Sequence, residues 1–174
     1  MKHLFEESIY ARKQLLETVE CDAALQAEME HAVNLIMHTF QNGGKLLFCG
    51  NGGSAADAEH IVAEFVGSFC GYTKGLCALA LTANSAVMSA LSNDFGFEIV
   101  FKKQIEAIAT DKDLVIALST SGESENILCA LQAAKSIGAK TLLLCGENIP
   151  GVSSDGVIAV PSADTALIQE MHFF

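Results

Sequence analysis

Five short and almost uninterrupted apolar runs are the feature of this sequence that most limits its fold. The runs are KLLFCG from Lys45, LCALAL from Leu76, LVIALS from Leu114, TLLLCG from Thr141 and GVIAVP from Gly156. A strand covered on one face alternates apolar and polar residues, whereas a strand covered on both faces is apolar throughout. The runs therefore predict parallel strands inside an α/β domain.

Segments with helical periodicity lie ahead of and between these runs. Helices are predicted over residues 2–20, 22–41, 54–70, 85–92, 97–110 and 123–138, and a short C-terminal helix carries Gln169. Strands that alternate with helices form right-handed βαβ units. We expect a doubly wound, five-stranded parallel sheet of the flavodoxin-like kind, with extra N-terminal helices.

The size of the chain favours one domain. With 174 residues, of which 51% are hydrophobic, it is long enough for one well-buried core and short for two. We expect a single domain over residues 1–174, with an N-terminal helical extension over about residues 1–42. Helices outside the βαβ core need a surface to cover, so this extension should pack on the flank of the domain or on a second subunit.

The charge and the apolar runs exclude several classes of partner. The formal net charge of -11 argues against a nucleic-acid surface, which needs clustered lysine and arginine. A small anionic ligand remains compatible, because local dipoles act at short range. No apolar run approaches the roughly 20 residues that a membrane helix needs. We expect no membrane partner.

The N-terminus and the cysteines predict a cytoplasmic location. The first residues, MKHLFEESIYARKQLLETVE, do not resemble a secretory signal. The cysteines show no Cys-x-x-Cys spacing, and free thiols in a reducing compartment explain them best. They are Cys21, Cys49, Cys70, Cys77, Cys129 and Cys145.

Two loops rich in glycine and hydroxyl groups follow the first and third predicted strands. The first loop is GNGGSA, Gly50–Ala55, and the second loop is STSGESEN, Ser119–Asn126. Each opens a helix, and ligands of open α/β sheets bind at such strand ends, where the strand order reverses. Glycine permits close backbone approach, and the free N–H groups of a first helical turn attract anions. The loops predict a phosphate site, although well-capped turns without a ligand are an alternative.

Two better-known nucleotide motifs fit less well. The first loop matches G-x-G-x-x-A, but the second predicted strand ends in ALALTANS, without the acid that would hold a ribose hydroxyl. The lysine of a P-loop is also absent. The sequence therefore does not favour dinucleotide or nucleoside triphosphate binding.

His60 and Glu64 lie four residues apart on the helix that follows the first loop. Positions four apart share one helix face, so the two side chains can point at the same spot. An imidazole beside a carboxylate is half of a zinc site and also an acid–base pair. An ordinary contact on a solvated helix face is the alternative, but the first turns of this helix adjoin any ligand on the first loop.

Four motifs of this sequence resemble those of the phosphoheptose isomerases, which belong to the sugar isomerase (SIS) superfamily. They are CGNGGSAADAEHIVAEF, SNDFGFE, ALSTSGESENI and IQEMH, and the resemblance covers essentially the whole chain. It implies an aldose–ketose isomerase that converts sedoheptulose 7-phosphate to D-glycero-D-manno-heptose 7-phosphate for bacterial surface glycans. It also implies a homotetramer with active sites at subunit interfaces and one zinc ion per subunit.

The resemblance also implies roles for individual residues. Glu64 would be the base that moves the proton through an enediol(ate). The zinc ligands would be His60, Glu64 and Gln169. Substrate contacts would come from Asn51, Gly52, Gly53, Glu64, Asn93, Asp94, Ser119, Thr120, Ser121, Ser124 and Gln169, with the hydroxyls of the second loop holding the phosphate.

The C-terminal motif departs from the family. The family places a histidine eight residues after the match to Gln169, and this sequence ends at Phe174, before that position. His172 is not a substitute, because on a helix it points about 140° away from a residue at that position. The departure puts in doubt the activity of the chain with this ending, and we expect natural relatives to carry a longer tail.

Two other functions remain open from the sequence alone. One is a non-catalytic SIS-domain protein, either a sugar-phosphate sensor or a replication-initiator-binding adaptor. The other is an SIS isomerase acting on a pentose or hexose phosphate, because loops that grip phosphate do not measure the length of a sugar. Retention of AEHIVAE favours an enzyme over the adaptor.

Overall fold

The sheet is the framework of the fold. A computed structural model describes residues 2–67, 74–151 and 153–173 of the chain. The strands are β1 Leu46–Gly50, β2 Ala78–Ala80, β3 Leu114–Ser119, β4 Lys140–Cys145 and β5 Gly156–Ala159. They form one five-stranded sheet in the order β2-β1-β3-β4-β5, in which all neighbours are parallel. Each strand overlaps an apolar run, so the predicted sheet is confirmed.

The helices follow the predicted periodicity with small differences. They are α1 Lys2–Cys21, α2 Ala23–Gln41, α3 Gly53–Gly67, α4 Ser85–Phe95, α5 Val100–Ile108, α6 Glu125–Ile137 and α7 Thr165–Phe173. The predicted helix 97–110 begins as a 3₁₀ turn, Phe97–Ile99, because Gly96 with φ 96° ends α4 just before it. The last three residues of the predicted helix 54–70 lie outside the described residues.

Both faces of the sheet are covered. Side chains of one face, such as Leu47 and Val115, join a cluster that includes Phe101 of α5 and Ile127 of α6. Side chains of the other face pack with residues of α2 and α3. Strands β1 and β3 are buried along their whole length, which is why they read as continuous apolar runs. The domain is therefore doubly wound.

The strand order fixes where a ligand can bind. Strand β1 lies between β2 and β3, so the connections that leave β1 and β3 run to opposite sides of the sheet. A crevice opens where such connections part, at the carboxyl ends of the strands. The first and second loops lie on either side of this switch point.

Two remaining expectations concern membrane-spanning helices and the state of the cysteines. Among the described residues, no helix combines the length and the apolar character that a bilayer crossing needs. Five cysteines in the described ranges are free, and Cys70 lies outside those ranges. The division into one domain with an N-terminal extension stays a prediction.

Candidate active site

A pair of asparagines joins the two loops across the switch point. Asn51 Nδ2 donates to Asn126 Oδ1 at 2.9 Å, and Asn126 Nδ2 donates to Asn51 Oδ1 at 2.8 Å. Asn126 is buried in the first turn of α6, and Asn51 follows β1 directly. The pair brings together residues that are 75 positions apart in the chain, and Asn126 was not predicted as a site residue.

The second loop presents donors that the fold leaves available. Ser124 is the N-cap of α6, yet its side chain makes no capping hydrogen bond within the described chain. In α2 and α4, by contrast, the N-cap side chains of Asp22 and Asn84 accept backbone N–H groups. Ser119 Oγ lies 3.4 Å from Ser124 Oγ. The start of α6 therefore offers hydroxyls and unpaired amides to an anion.

Not every hydroxyl of the second loop has the same surroundings. Ser119 is buried at the end of β3, Thr120 and Ser124 are half-buried, and Ser121 is exposed. Ser121 Oγ accepts the backbone N–H of Glu123 at 3.1 Å, so it helps to shape the turn. The four predicted phosphate contacts thus lie together in one loop.

Two positions of the first loop require glycine, for different physical reasons. Gly52 has φ 56°, a left-handed conformation that favours glycine. Gly53 begins α3, and a Cβ there would overlap the carboxamide of Gln169. The first glycine shapes the turn, and the second leaves room for a side chain of α7.

Helix α7 brings its residues to one face of α3. Gln169 lies over Gly53, and the Phe173 ring lies 4.4 Å from the His60 ring, centroid to centroid. On that same face, His60 Nε2 lies 3.3 Å from Glu64 Oε1. The predicted His60–Glu64 contact is present, and both side chains remain substantially exposed, at 57% and 40%.

Asp57 also lies on this face and was not predicted as a site residue. Burial raises the pKa of Asp57, and a hydrogen bond with Gln169 and the charge of His60 partly offset that effect. Its Oδ2 atom is buried and has no hydrogen-bond partner among the described residues. Its position three residues before His60 was the available signal, because that spacing places both on one face. A cleft of about 420 Å³ opens beside Asp57, Gln169 and Phe173.

His172 faces elsewhere. It is buried, next to the backbone of Cys145, and burial lowers the pKa of its imidazole. It therefore does not join His60 and Glu64.

A second cleft, of about 430 Å³, adjoins the first loop on the other side of α3. Its lining residues come from the first loop, α3, α4 and the turns beside α4: Gly50, Asn51, Gly52, Ala55, Glu59, Thr82, Ser85, Met88, Ser89, Ser92 and Phe97. The Thr82 hydroxyl donates to Glu59 Oε1 at 2.8 Å. Glu59 and Thr82 were not expected in the site. No local motif marks them, since they meet only through the packing of α3 beside β2.

Asn93 and Asp94 stand apart from the loops. Both are exposed near the end of α4, and Asn93 Nδ2 donates to Asp94 Oδ1 at 2.8 Å. The α4 residues that line the second cleft are Ser85, Met88, Ser89 and Ser92. The structure thus brings the two loops together, and His60 with Glu64, but leaves Asn93 and Asp94 facing solvent.

The donor set for zinc is partly assembled. The His60–Glu64 pair offers one nitrogen and one oxygen within 3.3 Å of each other, which suits a zinc ion. Gln169, on the adjacent helix, adds a carboxamide oxygen, although its side chain interacts with Asp57. Across the described ranges, no group of three or more His, Cys, Asp and Glu side chains could hold a metal ion.

The sequence and the fold of this chain are similar to those of known proteins. A family model described as the SIS domain matches residues 10–146. A phosphoheptose isomerase of Helicobacter pylori (strain Shi470) is 43% identical over 171 residues, which cover 97% of this chain and 88% of the relative. A phosphoheptose isomerase of Roseiflexus sp. (strain RS-1) is 44% identical, with 96% and 83% covered. A solved phosphoheptose isomerase from Francisella tularensis superposes with a TM-score of 0.89 at 32% identity, covering 99% of this chain and 93% of that one.

Proposed function

Because this chain belongs to the phosphoheptose isomerase family of SIS-domain proteins, and is therefore a sugar-phosphate isomerase, we propose that its substrate is sedoheptulose 7-phosphate. The product would be D-glycero-D-manno-heptose 7-phosphate, which would supply heptose for bacterial surface glycans such as lipopolysaccharide. The observation that carries the proposal is the switch point, where Asn51 and Asn126 join the two loops beside the open start of α6.

The phosphate group would bind at the second loop. Ser119, Thr120, Ser121 and Ser124 supply hydroxyl donors, and the first turn of α6 adds backbone N–H groups. This site needs no lysine or arginine, because the helix dipole and several neutral donors together stabilise an anion. A chain of net charge -11 can therefore still bind a phosphorylated sugar.

The sugar would extend from there over the first loop. Asn51, Gly52 and Gly53 would contact it, and Gly52, with open space where a Cβ would stand, permits close approach to the backbone. Asn93 and Asp94 carry polar groups that suit sugar hydroxyls, and their exposure fits contact with a sugar held between subunits.

The reaction moves one proton between two neighbouring carbons. A base removes a proton from C1 of the ketose while the C2 carbonyl oxygen gains one, giving an enediol(ate). Return of a proton to C2, with loss of the O1 proton, leaves the aldehyde of the aldose. We assign the base to Glu64, whose carboxylate is open to a ligand and lies beside the His60 imidazole.

Zinc is the expected cofactor, one per subunit, held by His60, Glu64 and Gln169. When bound, the ion would act as a Lewis acid toward the sugar oxygens or hold the site together. The Phe173 ring against His60 would limit the positions open to the imidazole.

We also propose that the chain works as a homotetramer with its active sites at subunit interfaces. Large apolar side chains are exposed on both N-terminal helices, including Leu4 at 69% and Phe5 at 68% on α1, and Val33 at 57% on α2. Such apolar area on adjoining helices is typical of protein interfaces. A monomeric mass in light scattering at micromolar concentration would contradict this assembly. The cytoplasmic location stays a prediction.

The test is incubation of the chain with sedoheptulose 7-phosphate, followed by NMR, with and without added zinc. We expect aldose signals to appear. The variant Glu64→Gln should abolish the conversion because the amide cannot accept the proton. Glu106→Gln is the matched control, since Glu106 of α5 pairs with Lys102 and is 42% exposed, close to the 40% of Glu64.

Other outcomes would redirect the assignment. Isomerisation of a pentose or hexose phosphate in preference to the heptulose would make the substrate assignment wrong. Saturable binding of the sugar phosphate without turnover of any substrate would favour a non-catalytic role. Full activity of Glu64→Gln would remove Glu64 as the base.

A further inference from the structure

Asn126 is a buried polar residue in a place where an apolar one would pack. It is 3% exposed, and the next residue of α6, Ile127, belongs to the main hydrophobic cluster. A buried carboxamide is costly unless its polar atoms are paired. Asn51 supplies that pairing through two hydrogen bonds, of 2.9 and 2.8 Å.

The hydrogen-bonding capacity of the two carboxamides separates their roles. Each carboxamide has two N–H donors and an oxygen that accepts twice, and the reciprocal pair uses one donor and one acceptor on each side. Asn51 is half-buried and lines the second cleft, so its second N–H and its remaining lone pair can reach a ligand. Asn126 does not line that cleft and is almost completely buried, so it reaches a ligand only through Asn51.

The first loop is rich in glycine, so the hydrogen bonds from Asn126 are important for restraining Asn51. Three of its six residues are glycines, namely Gly50, Gly52 and Gly53. Glycine has more conformational freedom than any other residue, so the loop by itself constrains Asn51 weakly. The bonds from Asn126 fix the Asn51 side chain to α6, the same helix whose start forms the proposed phosphate site.

We propose that Asn126 is a positioning residue, which holds Asn51 of the first loop at a set place relative to a phosphate on the second loop. The inference rests on the proposed function, since it assumes that a sugar phosphate spans both loops. It assigns to Asn126 no contact with the substrate. Its effect on turnover passes through Asn51, because a small misplacement of a positioning group lowers reaction rates strongly.

The experiment is a double-mutant cycle with Asn51→Ala and Asn126→Leu. Leucine is close to asparagine in shape and removes both hydrogen bonds. Each single variant should lower kcat/KM for sedoheptulose 7-phosphate by about tenfold to a hundredfold. Because Asn126 acts through Asn51, the double variant should be no worse than Asn51→Ala alone.

A second readout does not depend on turnover. The dissociation constant of inorganic phosphate, measured by calorimetry, should stay within about threefold in Asn126→Leu, because the hydroxyls of the second loop are retained. Thr141→Val is the matched control: it also removes side-chain hydrogen bonds of a buried residue, but at the opposite edge of the sheet. Thr141→Val should lower Tm about as much as Asn126→Leu does, and it should leave kcat/KM unchanged.

The outcomes that overturn the inference are distinct. Multiplying losses in the double variant, or a matching loss of phosphate affinity in Asn126→Leu, would show that Asn126 supports the site independently of Asn51. An equal loss of activity in Thr141→Val would show that general stability is the cause. If Asn126→Leu fails to fold, Asn126→Ser enters the cycle under the same criteria.

The wild-type chain tests the proposed function separately, through its conversion of sedoheptulose 7-phosphate. If the wild type binds sedoheptulose 7-phosphate without converting it, the cycle is scored on the binding constant of that sugar phosphate relative to inorganic phosphate. Equal loss in Asn51→Ala, Asn126→Leu and the double variant supports the inference, and additive loss overturns it.

Discussion

The amino ends of the strands form one edge of the sheet, the amino edge, and their carboxyl ends form the opposite one, the carboxyl edge. Both edges carry buried polar side chains, which differ in how fully they are hydrogen-bonded. At the amino edge, Asp113 accepts hydrogen bonds from Lys45 and Thr110, at 2.7 to 3.0 Å. Asp155 likewise accepts from Lys140 and Thr141 at 2.8 to 2.9 Å. These carboxylates have their partners within the chain.

At the carboxyl edge the polar groups are only partly paired. Asn51 retains a free donor and acceptor, the Ser124 hydroxyl makes no capping bond in the described chain, and Asp57 Oδ2 has no partner there. A saturated polar network stabilises a fold, whereas unsaturated groups at a strand end are available to a ligand. Ser154 Oγ, beside Asp155, is also unpaired within the described residues, so a single unused group does not mark a site. What distinguishes the carboxyl edge is that Asn51, with its unused donor and acceptor, lines an open cleft.

The largest effect should come from exchanging Glu64, the proposed catalytic base, which belongs to neither of these two edges. Glu64→Gln should lower kcat by about a thousandfold or more, equivalent to about 4 kcal/mol, because the proposed base is lost. The midpoint of thermal unfolding should change by no more than about 1 °C, since the exposed His60–Glu64 pair contributes little stability. A large fall in Tm would show that Glu64 also stabilises the fold, which would contradict its assignment to activity alone.

The opposite pattern should follow at the amino edge. Asp113→Asn should lower the free energy of unfolding by about 2 to 3 kcal/mol, because it weakens a network of hydrogen bonds to a buried carboxylate and leaves the ammonium group of Lys45 without its partner. Urea unfolding at pH 7 measures the loss. The kcat of the folded variant should equal that of the wild type, and a reduced kcat would contradict the assignment of this edge to stability.

Acidification should also weaken the amino edge. Burial alone would raise the pKa of Asp113, but the bonds from Lys45 and Thr110 outweigh it and bring the pKa below 3.8. The pKa of Asp155 is lowered in the same way by Lys140 and Thr141. The stabilisation is thus present above about pH 4 and is lost as the pH falls through the lowered pKa values.

Urea unfolding, measured at several pH values between about pH 5 and pH 2, tests whether the free energy of unfolding falls with the pH as predicted. The wild type should lose stability from these two groups over that interval, because protonation removes the ion pairs and hydrogen bonds that each carboxylate makes in the folded state. Asp113→Asn should show a shallower decline. An identical slope in the variant would mean that Asp113 does not carry the acid sensitivity.

The smallest effect should follow from a methyl group placed in the first loop. In Gly53→Ala the new Cβ would displace the Gln169 carboxamide, and we expect kcat/KM to fall about tenfold. Tm should hardly change, because a flexible side-chain end can move. Gly67→Ala is the control on the same helix, since nothing lies within 4 Å of a Cβ there. Equal activity of the two variants would remove Gln169 from the site.

Much of the fold could be predicted because its signals are local. Continuous apolar runs identified the strands, since both faces of the sheet are covered, and helical periodicity identified the segments between them. The break between the helices 85–92 and 97–110 was predicted, but the 3₁₀ turn Phe97–Ile99 was not, because it depends on how the chain turns after Gly96. The two loops were found because glycines and hydroxyls after buried strands are a local pattern.

The partners within the site could not be predicted in the same way. The spacing of His60 and Glu64 predicts a shared face, but the contact of that face with Gln169 and Phe173 depends on where α7 packs. Asp57 and Glu59 lie two positions apart on α3 and face different clefts, which only the placement of the neighbouring helices distinguishes.

The sequence by itself determined the parallel sheet, the two loops at its carboxyl edge and the His60–Glu64 pair, because each depends on residues close together in the chain. Only the tertiary structure decided that Asn126 would meet Asn51 across 75 positions. That contact requires the register of β1 and β3, which aligns Gly50 with Leu118 and so sets the two loops side by side. Strand register is a property of the assembled sheet, since the side chains that specify it come from distant segments.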